Sequence, residues 1–97
     1  MTIVNKSELQ EGRPHKIMVG DTPVCLAQVN GEFFAFADTC SHSDASLSEG
    51  DISDYKIECW LHGAEFDIRT GSALTPPATE ALQTFSVTDN GQTVEIK

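Results

Sequence analysis

The sequence predicts an all-β domain of short antiparallel strands. Three observations carry this: the apolar residues recur mostly with period two, turn signals return every several residues, and "VNGE" at Val29 to Glu32 is a strong hairpin signal. Asn-Gly suits a two-residue turn because both positions tolerate positive φ. With 97 residues and no linker or composition shift, the chain reads as a single domain, 1–97.

In chain order, "KSELQEG" is expected to form a short helical turn ending at Gly12. "GDTP" at Gly20 to Pro23 reads as the turn before the hairpin. The hairpin joins "PVCLAQV" to "EFFAFA"; both are apolar on nearly both faces, which places them centrally and divides Phe33, Phe34 and Phe36 between two packing faces. Cys25 then falls in the core. Residues from about 38 to 77 form a loop-rich unit inserted into this β base, with one alternating strand, "YKIEC", inside it. Finally, "TDNGQ" at Thr88 to Gln92 joins "QTFSV" to "TVEIK", whose alternation puts Val94 and Ile96 inside and Glu95 and Lys97 outside.

Composition excludes several functions. Fifteen Asp and Glu against six Lys and Arg, a net charge of -9, argue against binding nucleic acid through its phosphates. The same balance suits docking on basic partner surfaces. Neither a leader with an apolar h-region nor a window as long as a membrane span is seen, so a cytoplasmic protein with no membrane partner is expected. Three cysteines, an odd number, read as ligands or free thiols rather than a disulfide framework. His15 reads as a surface residue.

Two short stretches carry the chemistry. "CSH" places Cys40 two residues from His42, and "CWLH" places Cys59 three residues from His62. Cys59 continues the face of Tyr55 and Ile57, which aims its sulfur inward. Residues 43–58 between the pairs are long enough for a loop, a strand and a turn to bring them face to face. Two thiolates and two imidazoles suit a tetrahedral zinc ion, or a 2Fe-2S cluster with thiolates on one iron and histidines on the other. Structural zinc sites commonly group like ligands, whereas each loop here supplies one of each kind, which favours the two-iron group.

The C-x-H, C-x2-H pattern, with "LSEGD" after the first pair, "HGAEFDIRTG" around the second and "LTPPA" beyond, resembles the Rieske family, in particular the ferredoxins of bacterial ring-hydroxylating dioxygenase systems. The resemblance implies the Rieske fold of three small antiparallel sheets and one 2Fe-2S cluster. It puts Cys40 and Cys59 on the inner iron and His42 and His62 on the outer. It further implies a one-electron carrier without catalytic residues of its own, taking electrons from an NADH-dependent flavoprotein ferredoxin reductase and delivering them to the oxygenase alpha subunit. A monomer suits such a shuttle.

Departures from respiratory relatives are informative. Their extra cysteines, which form a disulfide, are matched here by Ala45 and Leu61. The serine and tyrosine whose hydroxyls donate to cluster sulfur are matched by Ala64 and Phe66, which implies a potential toward the lower end of the Rieske range. Trp60, where many relatives have proline, and Pro76-Pro77 are expected as apolar parts of a docking rim, and Gly63 as a provider of backbone geometry. Alternatives with a related fold are the small subunit of assimilatory nitrite reductase and the ferredoxin of a multicomponent monooxygenase; a structural zinc module is the alternative of another class.

Overall fold

The Asn30-Gly31 turn organises the base of the molecule. Both residues have positive φ, 53° and 79°, as a two-residue hairpin with right-handed strand twist requires. A computed structural model of the chain, describing residues 2–39, 46–60, 63–75 and 81–97, places this turn between β3 (Thr22–Val29) and β4 (Glu32–Ala37), with Val29 opposite Glu32 and Val24 opposite Ala37. The Glu11 carboxylate braces the turn by accepting the N–H groups of Asn30 at 2.6 Å and Gly31 at 3.0 Å.

β2 (Pro14–Val19) pairs with β3 across a Gly20-Asp21 turn, and β8 (Thr84–Phe85) pairs with β4, giving a sheet of order β2-β3-β4-β8. Thr22 and Pro23, expected in the turn, open β3 instead. Pro23 is tolerated there because it stands near the strand's start. Cys25, Ala27, Phe34 and Phe36 face one buried cluster, and Val24, Leu26, Phe33 and Ala35 face the other. Burial on both faces explains why the two strands are apolar throughout.

The second cluster is covered by the sheet β1-β10-β9, formed by β1 (Thr2–Asn5), β9 (Val87–Asp89) and β10 (Thr93–Ile96). Val94 and Ile96 are fully buried, as their alternation requires. The stretch "QTFSV" does not make one strand. It divides at Ser86: Phe85 stands opposite Ala35 in one sheet and Val87 opposite Ile96 in the next, so both side chains enter the same core from different sheets. The expected helical turn is a single 3-10 turn, Lys6–Glu8, closed by the Leu9 N–H on Lys6 oxygen, and it stops well before Gly12. Lys6 anchors it, pairing with Asp89 at 2.6 Å and lying 5.3 Å over the Phe33 ring.

The third sheet, β5-β6-β7, comprises β5 (Asp51–Ser53), β6 (Lys56–Glu58) and β7 (Glu65–Asp67). Ile52, Ile57 and Phe66 form its inward row. Tyr55, expected within the strand, sits with Asp54 in the turn before β6, both at positive φ. Its ring meets Phe34 edge-on at 6.0 Å, carries the Arg69 guanidinium 4.7 Å above it, and its hydroxyl accepts the Asn30 amide at 2.8 Å. These contacts fasten the third sheet to the hairpin turn. Asp67, beside that same Arg69, has its carboxyl held below the ordinary range by their hydrogen bond.

Gly50 marks the tightest approach between the chain before β5 and the end of β6. A Cβ there would overlap the Glu58 carbonyl oxygen, a backbone atom that cannot step aside. Gly50→Ala is therefore expected to cost about 1–3 kcal/mol, the usual range for overpacking, read from the urea midpoint. An unchanged midpoint would mean the two segments are not in register as described.

Candidate metal centre

Cys59 stands one residue past β6, on the inward face that Ile57 establishes, and it is fully buried. The chain then turns back within a few residues. The Cys59 N–H donates to the Ala64 carbonyl at 2.7 Å, and the Gly63 N–H donates to the Cys59 carbonyl at 2.9 Å. Gly63 has φ +75°, a conformation only glycine adopts at little cost, and its own N–H is taken by the Cys59 carbonyl. Trp60, in this loop, is 54 % exposed.

The first loop is closed at its base. Thr39 and Ser46 form an antiparallel bridge, and the chain beyond enters a 3-10 turn, Leu47–Glu49. Leu47, which follows the first loop, and Ala64, which follows the second, are both fully buried in the same cluster as Cys59, Ile57, Phe66 and Ile68. Both loops are thus rooted in one apolar floor.

Of the four ligand candidates, the structure places Cys59. Cys40, His42 and His62 lie outside the described residues, as do Ala45, Leu61, Pro76 and Pro77. Cys59 itself fits a metal-bound thiolate. Its side chain is fully buried at the root of the second loop, on the floor that the end of the first loop shares. Two thiolates and two imidazoles remain the donor set that a 2Fe-2S group with mixed ligation requires.

Cys25 has a different character. It is fully buried in mid-strand, and burial, with a smaller effect from the nearby Asp38 carboxylate, pushes its thiol far above the ordinary range. His15 is half-buried and accepts the Gln10 N–H on Nε2 at 3.1 Å, so it has a structural partner that its position in the sequence does not reveal. Asp38, which the sequence reading passes over, is 1 % exposed at the base of the first loop. An aspartate at the start of a polar loop carries no sequence signal of burial.

Three antiparallel sheets, with two cysteine- and histidine-bearing loops rooted in one buried floor, define a small all-β metal-binding domain. Residues 1–86 match the family model described as the Rieske [2Fe-2S] domain, and the chain belongs to that family. It is 44 % identical over 92 residues to the ferredoxin component of biphenyl 2,3-dioxygenase from Rhodococcus jostii RHA1, covering 95 % of this chain and 86 % of that protein. The ferredoxin of carbazole 1,9a-dioxygenase from Nocardioides aromaticivorans IC177 superposes with a TM-score of 0.95 at 26 % identity, over 99 % of this chain and 94 % of that one. A ferredoxin chain solved in a complex of reduced oxygenase and oxidized ferredoxin of carbazole 1,9a-dioxygenase matches with a TM-score of 0.90 at 35 % identity, over 96 % of each chain.

The Cys25 thiol yields a pH prediction. Its folded-state pKa is raised, so its contribution to stability is complete below the ordinary value near 9 and is lost as the pH climbs above it, where the unfolded chain releases a proton that the folded one keeps. Above that value the wild-type unfolding free energy should fall faster than that of Cys25→Ala, by up to about 1.4 kcal/mol per pH unit. Parallel pH dependences in urea melts would contradict this.

Proposed function

We propose that this chain is a one-electron carrier of a ring-hydroxylating dioxygenase system, holding a single Rieske-type 2Fe-2S cluster through Cys40 and Cys59 on the inner iron and His42 and His62 on the outer. The observation that carries the reading is the full burial of Cys59 at the root of a loop that shares its floor with the end of the first loop. When bound, the cluster supplies a reversible one-electron couple whose potential the neutral imidazoles raise relative to all-cysteine ligation. The chain's own residues hold that couple, tune it and present it.

Tuning rests on what lines the floor. Ala64 and Phe66 are fully buried beside Cys59 and bring no hydroxyl. A hydrogen bond to cluster sulfur stabilises the extra electron, so its absence lowers the potential toward the bottom of the Rieske range of roughly -150 to +300 mV. Presentation rests on Trp60, whose exposure beside the second loop offers an apolar contact to a partner. On the outer face of the third sheet, Asp51, Glu58 and Glu65 stand in one cross-strand row. Like charges opposite one another cost stability within the sheet, and their arrangement beside the second loop favours a cationic partner surface.

The circuit runs from an NADH-dependent flavoprotein reductase, through this protein, to the oxygenase alpha subunit. The chain works as a cytoplasmic monomer and a single domain, with residues of about 38–77 as the cluster-binding unit. No helix among the described residues is long and apolar enough to cross a membrane.

Reductive titration followed by electron paramagnetic resonance should give a mixed-ligand 2Fe-2S signal at low potential, and Phe66→Tyr should raise that potential. A wild-type value near the top of the range would overturn the tuning argument, and colourless protein containing zinc and no acid-labile sulfide would overturn the function. Trp60→Ala should slow electron delivery to the oxygenase several-fold at unchanged potential; an unchanged rate would remove Trp60 from the interface.

A further inference from the structure

We infer that Asp38 is a positioning residue for the cluster, acting as a clasp that closes the first loop at its base. The inference rests on the reading that Cys40 and His42 in this loop are ligands. Asp38 is almost fully buried, where a carboxylate is costly unless its oxygens are engaged. Among the described residues it makes hydrogen bonds to two parts of the chain, β3 and the turn that follows the loop. Its N–H donates to the Pro23 carbonyl at 3.1 Å, its own carbonyl accepts the Leu47 N–H at 2.6 Å, and its Oδ1 accepts the Ser48 N–H at 2.8 Å.

The last two bonds reach across the loop. Leu47 and Ser48 open the 3-10 turn that follows it, and the first N–H groups of such a turn have no partner within it. The residue that would ordinarily cap them, Ser46, makes no side-chain cap hydrogen bond. Asp38 supplies the missing acceptors from nine and ten residues upstream. With the Thr39–Ser46 bridge, this fixes both ends of the segment that carries Cys40 and His42, while the bond to Pro23 ties the closed base to β3. Ligands on a loop whose ends are held lose less entropy when they bind a metal, and residues that orient ligands commonly affect metal retention as strongly as this predicts. The working group is the side-chain acceptor at Oδ1, which an asparagine also offers.

The test compares wild type, Asp38→Ala and Asp38→Asn, each isolated with cluster, for iron and acid-labile sulfide, far-ultraviolet circular dichroism, reduced-state paramagnetic resonance and the rate of iron release to a chelator. Asp38→Ala is expected to release iron about 10–100-fold faster and to show an altered resonance signal with its β signature intact, while Asp38→Asn stays within about threefold of wild type. Wild-type release and signal in Asp38→Ala would overturn the clasp. If Asp38→Ala does not fold, Asp38→Asn decides: near-wild-type retention supports the acceptor role, and release as fast as that expected of alanine overturns it. A wild-type protein without a 2Fe-2S cluster would sink the proposed function instead. The clasp would then be judged by amide hydrogen exchange at Ser48, whose N–H loses its acceptor and should exchange at least about tenfold faster in Asp38→Ala, an unchanged rate overturning it.

Discussion

The metal centre depends on a pair of backbone hydrogen bonds that turns the chain back on itself after Cys59. Because the Cys59 N–H is committed to Ala64 and the Gly63 N–H to Cys59, the cysteine is fixed at the meeting point of β6 and β7 and its sulfur is driven into the core. The same bonds bring Ala64 and Phe66 onto that floor. The position of Cys59 and the polarity of its surroundings are therefore set by one local feature, and the positive φ of Gly63 is what permits it.

The hairpin of β3 and β4 is apolar on both faces and is sandwiched between two clusters, one capped by the terminal sheet and one by the third sheet. The Tyr55 contacts with Asn30, Phe34 and Arg69 join the third sheet to the hairpin at the end of β6 opposite Cys59. A small domain with limited core area thus spends its packing on the base and its precisely placed hydrogen bonds on the loop roots.

Much of this was readable from the residues. Asn-Gly flanked by apolar runs gave the hairpin, its strands' lack of polar alternation gave their central place, and the alternation of "YKIEC" gave the inward aim of Cys59. What escaped is equally physical. Strands of three residues, such as Asp51–Ser53 and Glu65–Asp67, are too short to show a period. A run with unbroken alternation, "QTFSV", passes between two sheets because both share one core, and only topology reveals the break at Ser86. Tyr55 adopts positive φ, which a bulky side chain rarely signals. Asp38 and His15 are buried or bonded through partners ten and five residues away, distances that no local pattern encodes. The ligand pattern itself was the clearest signal, since Cys and His in mixed pairs have few other uses.

The central claim is that two inequivalent irons are held here, one by thiolates and one by imidazoles. Mössbauer spectroscopy of the reduced protein enriched in iron-57 tests it most directly. Two components of equal area, one ferric with the parameters of sulfur ligation and one ferrous with those of mixed nitrogen and sulfur ligation, are predicted. Two sites with all-sulfur parameters, or a protein that binds no iron, would contradict the claim.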